Sequence, residues 1–482
     1  ESYDDRADKN FTNDKPKLIV IDESHNLRNH KSKRYQYLLD NIIKPNADIK
    51  VLLLSATPIN NSLNDIRNQF KLLVQGNNTG FAEKLGVRNI EASFRRAQQI
   101  FNEWRTEAEP RINSFIKRLP TNFFTLTDSL IVSRTRKMID QFDFPKQTAP
   151  INLFVTPQHL GNYDTFEELF NHFPDKLSGY QPAFYADIDE SEKDILHDER
   201  QRDRFLVKMM YILMVKRLES SWYSFYSTIE KIKDHHQNVL DKINKYLEFK
   251  NDDAFDIEEE SVFGEDELHE QVQDYEYSLG KKRKISLSEI DAAGNIENYK
   301  KDLKEDLDAL DNLYINLQRF EQNIYDELKI AQNGHSADNK LEELIKQINE
   351  KRQRGENNKN KKVVIFTVYR DTAKYLYDQL KVRGFDNLAM VSGTGSFTSD
   401  TDIETNKFEP ILERFAPYTK LYMEKEWGFE DSKDKNNYQK WKQWIKNNDD
   451  KTLEKINKPI DILIATDALS EGQNLQEIGR AH

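Results

Sequence analysis

The sequence predicts an α/β protein with parallel sheets towards both ends of the chain and a large, mostly helical region between them. Three observations carry that prediction. Short apolar runs that end in polar residues ("KLIVID", "KVLLLSAT", "VVIFT", "NLAMVSG", "DILIATD") lie before residue 60 and after residue 360, the pattern of strands buried on both faces. Amphipathic runs such as "SLNDIRNQFKLL" and "RDTAKYLYDQL" follow or separate them, as crossover helices do. Between about 85 and 355 the period lengthens to that of long helices.

Taken in order, residues 1–80 read as strand, polar helix through Tyr35 to Ile43, strand, and amphipathic helix. Residues 81–355 carry the helical runs "EASFRRAQQIFNEW", "QRDRFLVKMMYILMVKRLESSWYSFYSTIEKIKDHHQNVLDKINKYL" and "NYKKDLKEDLDALDNLYINLQRFEQNIYDELKIAQ". Within them, 251–286 is strongly acidic and then basic, the composition of an exposed flexible loop. After the basic, asparagine-rich "KRQRGENNKNKK", residues 356–482 return to the α/β texture.

Composition narrows the function classes. At 37% hydrophobic and 11% aromatic the chain is too apolar to be disordered, and 482 residues supply two to four domains. Cysteine is absent, which excludes disulfides and thiolate metal sites and suits a reducing, cytoplasmic setting. No run reaches the roughly 20 apolar residues of a membrane-spanning helix. The formal net charge of -12 argues against a uniformly basic nucleic-acid coat but leaves local basic stripes open.

The chemistry concentrates where "KLIVIDESH" ends. A parallel sheet presents functional groups at the carboxyl ends of its strands, which places Asp22 and Glu23 there. Two adjacent carboxylates suit a magnesium nucleotide: Asp22 holds the metal through its water shell and Glu23 orients or deprotonates the attacking water. A strand-ending turn with a helix cap would give the same residues. The second run adds weight, because "KVLLLSATPINN" ends in Ser55 and Thr57, whose hydroxyls can bond across to His25.

Together, "DESH" and "SATP" resemble motifs II and III of superfamily-two helicases. "LLLSATPINNSLNDIRNQFKLL" resembles the Swi/Snf family of helicase-like DNA translocases, in its bacterial RapA-like branch. "LIVSRTRKMI" (Leu130 to Ile139) is similar to the basic segment after the family's first lobe, and "VKRLESSWYSF" (Val215 to Phe225) to a helical signature of its bacterial members. "KKVVIFTVYRDTAKYLYDQL" resembles motif IV, "DILIATDALSEGQNLQ" motif V, and "IGRAH" the centre of motif VI.

The resemblance implies two RecA-like lobes of P-loop NTPase type, both incomplete, separated by the helical insertion. It implies ATP and Mg2+ as cofactors, double-stranded DNA as partner, and a protein partner for the insertion. Asp22, Glu23, His25 and Arg480 become the catalytic set, with Arg480 as an arginine finger, and Ser55 and Thr57 couple nucleotide state to movement. Thr367, Arg370 and Thr466 fall to nucleic acid; Glu471, Gly472 and Asn474 to the nucleotide face.

Three departures qualify this. No G-x-x-x-x-G-K-[ST] loop occurs, motifs V and VI almost touch, and the chain stops before motif VI's second arginine. The expectation is a fragment that does not hydrolyse ATP by itself. The basic and aromatic residues Arg95, Arg96, Trp104 and Arg105 read either as a phosphate-tracking surface or as a solvated helix face over a core. An RNA or DNA helicase subunit of a restriction or phage-defence system, and a catalytically inactive scaffold, remain alternative functions.

Overall fold

The computed structural model describes residues 16–46, 48–59, 62–107, 110–134, 138, 149–155, 160, 163–187, 193–249, 285–330, 338–354, 360–393, 395–399, 408–429, 437–466 and 475. The chain divides into two compact units, residues 1–150 and 151–482.

In the first unit, β1 (Lys17–Ile21) pairs in parallel with β2 (Ile49–Leu53), Lys17 opposite Ile49 and Ile21 opposite Leu53. Between them lie a 3-10 turn (Ser24–Leu27) and α1 (Lys33–Tyr37), which continues as a π turn to Ile43. Alternate strand residues Ile19, Ile21, Ile49, Val51 and Leu53 pack on Leu27, Tyr35, Ile43 and Leu72. The opposite face keeps Leu18, Val20 and Leu52 exposed.

Next, α2 (Leu63–Leu73) starts at Ser62, whose side chain caps the helix while Asp65 reaches back, a capping box worth about 1 kcal/mol. α3 (Ala82–Leu85), α4 (Ile90–Arg105), α5 (Ile112–Arg118) and α6 (Thr121–Leu130) follow. Phe94 of α4 is fully buried and meets Phe70 of α2 and Phe123 of α6 edge-on, with ring centroids 5.9 and 5.4 Å apart. Such aromatic pairs add about 0.5–1.5 kcal/mol each beyond area burial. The helices α2 to α6 therefore share one core within the unit of residues 1–150.

The second unit contains α7 (Phe166–Asn171), α8 (Lys193–Ser220), α9 (Trp222–Phe249), α10 (Leu287–Ala292), α11 (Ile296–Ile330) and α12 (Asn339–Arg354). The long periodic run from Gln201 is two helices, because Ser221 breaks it: its Oγ accepts the Ser224 N–H at 3.1 Å and caps α9. β3 (Val363–Phe366), α13 (Arg370–Val382), β4 (Leu388–Ser392), β5 (Gly395–Thr398), α14 (Glu409–Phe415), α15 (Asn437–Asn448), α16 (Asp450–Asn457) and β6 (Ile462–Ala465) complete it.

The second sheet has the order β3-β6-β4-β5, parallel except where β5 turns back against β4. That antiparallel edge departs from the all-parallel expectation: the reversal after Ser392 is tight, and Ser392 Oγ donates to Gly395 O at 2.8 Å. Both faces are covered. Ala389, Val391, Leu463 and Ala465 face α14, while Leu388, Met390, Ile462 and Ile464 face α13 and Ile348 of α12, so β4 and β6 are apolar up to Ser392, which ends β4. α13 closes at Gly384, whose φ of +79° suits the left-handed residue after a helix.

Candidate functional site

Because β1 and β2 are parallel and in register, their carboxyl ends lie side by side, and the ladder runs past them. Leu54 N–H donates to Ile21 O and Ser24 N–H to Leu54 O, both at 2.8 Å. The turn from Asp22 to His25 is thereby brought beside the turn from Ser55 to Pro58.

Asp22 is exposed at the strand end, and one of its carboxylate oxygens accepts the Glu23 N–H at 2.9 Å. Glu23 adopts φ 47° and ψ 49°, a left-handed conformation that costs a residue with a Cβ about 1–2 kcal/mol. Its Oε2 is buried, lies 3.3 Å from His25 Nδ1 and takes no hydrogen bond among the described residues. Strain and an orphaned buried acceptor thus coincide on one side chain.

His25 is 5% exposed, and its Nδ1 pairs with Ser55 Oγ at 3.3 Å. Ser55 Oγ also accepts the Thr57 N–H at 3.2 Å. Of the two hydroxyls expected to reach His25, Ser55 makes the contact, while Thr57 is exposed and joins through its backbone.

Sequence reasoning missed two residues on α2. Ser24 Oγ donates to Gln69 Oε1 at 2.9 Å, and Gln69 Nε2 donates to Pro58 O at 3.1 Å, so one buried amide touches both turns. Beside it, Asn68 Nδ2 donates to Arg28 O at 2.6 Å, at the end of the 3-10 turn. The signal was two amides at positions 68 and 69, with 69 falling on the apolar face of α2. Nearby, partial burial and then the charges of Arg67, Lys71 and Lys31 hold His30 below the ordinary imidazole range.

In the second unit, Thr367 and Thr466 follow the neighbouring strands β3 and β6 at equivalent register; their N–H groups bond Ala465 O and Val391 O at 3.0 and 3.1 Å. Arg370 opens α13 and is exposed. The turn that carries it is gripped by the corner between α8 and α9, the segment "VKRLESSWYSF". Arg217 of α8, 5% exposed, donates to Asp371 Oδ2 at 3.0 Å and stacks over the Tyr369 ring. Ser220 and Ser221 both pair with Thr372 at 2.8 Å. Trp222 Nε1 donates to Tyr375 OH, which donates to Asp338 Oδ2 at 2.7 Å. The helices through α12 consequently share cores with the second sheet unit.

Trp104 is half-buried: it packs on Phe101 and Phe115 and donates from Nε1 to Arg111 O at 3.1 Å, whereas Arg95, Arg96 and Arg105 stay exposed. Glu471, Gly472, Asn474 and Arg480 lie outside the described residues, as do most of 135–148 and all of 250–284. Among the described residues there is no cluster of three metal-ligating side chains, and no helix is long and apolar enough to cross a membrane.

Comparison with known proteins fits this geometry. Residues 5–166, about a third of the chain, match the SNF2-related domain. Over 126 residues the chain is 28% identical to helicase swr1 of Aspergillus fumigatus, a stretch covering 26% of this chain and 7% of that protein. Over 59 residues it is 42% identical to YqhH, an uncharacterised ATP-dependent helicase of Bacillus subtilis, covering 12% of this chain and 10% of that one. The chain thus matches a tenth or less of either relative's length. With its strand-end carboxylates beside a His25–Ser55 link, the segment 5–166 is thus similar to the SNF2-related domain and to stretches of ATP-dependent helicases.

Proposed function

We propose that the natural full-length protein is an ATP-hydrolysing, double-stranded DNA translocase of RapA-like bacterial type that remodels protein–DNA complexes in the cytoplasm, with two RecA-like lobes built around the two sheets. The observation that carries the reading is the Asp22–Glu23 turn, where an exposed carboxylate and an orphaned buried carboxylate oxygen sit at one strand end. Hard oxygen donors of this kind fit a water-shelled magnesium ion and a reacting water. Bound Mg2+ supplies charge to the phosphates of ATP.

The chain's own residues do the rest. Asp22 orients the metal's water shell. Glu23, its buried Oε2 3.3 Å from His25 Nδ1 and otherwise open to a reacting water, accepts a proton as water attacks the γ-phosphorus, the bond to the β-γ bridging oxygen breaks, and ADP and phosphate leave. His25, held by Ser55, passes the state of the Glu23 turn to the segment Ser55–Pro58 and so to α2. Thr367, Arg370 and Thr466 take DNA phosphates; Glu471, Gly472 and Asn474 face nucleotide, and Arg480 steadies the transferring phosphoryl charge. The helical corner at Arg217 binds the insertion to the second lobe, leaving its outer helices for a protein partner.

The test is ATP turnover by the full-length protein with duplex DNA, single-stranded DNA and RNA, alongside strand-separation and triplex-displacement assays. The reading expects duplex-stimulated turnover and triplex displacement without unwinding. Strand separation would point to a helicase, and absence of turnover with every nucleic acid would overturn the reading.

A further inference from the structure

The amide of Gln69 bridges two turns that the backbone ladder merely brings close. Gln69 is 3% exposed and Ser24 fully buried, so neither group has water to fall back on. Gln69 Oε1 takes the Ser24 hydroxyl at 2.9 Å, and Gln69 Nε2 gives one hydrogen to Pro58 O at 3.1 Å. Ser24 lies between Glu23 and His25; Pro58 ends the segment begun by Ser55. Asn68 fixes the other end of the same turn through Arg28 O, and its own carbonyl accepts the Tyr35 hydroxyl at 2.8 Å.

We propose that Gln69 is a positioning residue: with Asn68 behind it, it locks the Asp22–His25 turn to the Ser55–Pro58 turn, in parallel with the His25–Ser55 pair. The proposal rests on the functional reading above and deepens it, since it names a second tether between the water-orienting carboxylate and α2. Two tethers explain how a strained Glu23 holds its conformation: the turn is fastened at Ser24, His25 and Arg28, so Glu23 has no room to relax. The amide also has a directional use. Only a group with both an acceptor and a donor serves Ser24 and Pro58 together, and glutamine offers both where an ionised glutamate only accepts.

The experiment uses Gln69→Leu, Gln69→Glu and Ser24→Ala in the full-length protein, with two readouts. In the first, hydrogen exchange is followed by mass spectrometry. Amides of residues 22–28 and 55–59 should exchange faster in Gln69→Leu, while α2 keeps its protection. Gln69→Glu, which can still accept from Ser24 but cannot donate to Pro58, should loosen 55–59 more than 22–28. In the second, Gln69→Leu should lower kcat for ATP by about 10- to 100-fold with KM within about twofold, as expected for misplacement rather than lost binding. Combining Ser24→Ala with Gln69→Leu should add little. Unchanged exchange at both turns, or loss of protection throughout α2, would overturn the proposal. The exchange readout decides it even if the wild-type protein turns out not to hydrolyse ATP, the result that would sink the functional reading instead.

Discussion

Replacing Glu23 with glycine should make the first unit more stable while removing its proposed activity. Three contributions follow from the structure. Glycine accepts φ 47° freely, which recovers about 1–2 kcal/mol of left-handed strain. Deleting the side chain removes a buried carboxylate oxygen that has no hydrogen bond, worth about 1–3 kcal/mol. Against these, glycine loses more backbone freedom on folding, about 0.5–1 kcal/mol. The sum is a net stabilisation of about 1–4 kcal/mol, or several degrees in the unfolding midpoint of a unit of this size. Urea unfolding with hydrogen exchange read at residues 17–28 and 49–59 isolates this unit. Glu23→Gln is the comparison: it keeps the strain and should not gain the same stability. A Glu23→Gly variant less stable than wild type would refute the argument that strain is stored at this residue.

Two other outcomes concern the surroundings of the candidate sites. Arg217→Met should destabilise the second unit by about 2–3 kcal/mol in urea unfolding, below the 3–5 of a fully buried pair because Asp371 is 26% exposed and Lys231 lies 3.6 Å from it. Adding Asp371→Leu should restore part of the loss. For His30, the folded-state pKa lies below the ordinary 6.5, so the folded state binds its proton less readily than the unfolded chain. Its contribution is therefore complete above pH 6.5 and fades as pH falls through the folded-state value. Unfolding midpoints measured from pH 8 to pH 5 should fall less steeply in His30→Asn than in wild type.

The strands were legible because burial writes itself into composition: β4 and β6 are covered on both faces and are apolar but for Ser392 at the end of β4. The runs that became α2 and α4 were legible by periodicity, while their caps Ser62 and Asn89 show only in the structure. The partition was not. Whether α4 or α9 belongs to one sheet or the other depends on which apolar face meets which, and periodicity gives the face without its partner. The edge strand β5 is only four residues with a glycine at its start, too short to show alternation. At the site, Asp22, Glu23, His25 and Ser55 could be picked out because charge after an apolar run is unusual. Gln69 could not, since an amide on an amphipathic helix looks like any solvated residue until its partners Ser24 and Pro58 are placed. Trp104 illustrates an open pair of readings: beside three arginines it suited a nucleic-acid surface or a helix face over a core, and its ring packs on Phe101 and Phe115.

The central claim is that the Asp22–Glu23 turn is the water-orienting half of an ATP site. Single-turnover ATP hydrolysis by full-length Glu23→Gln, with duplex DNA present and nucleotide binding measured in parallel, tests it most directly. The rate should fall about 100- to 10,000-fold below wild type with ATP still bound, the range for a lost general base. Hydrolysis within a few-fold of wild type would contradict it.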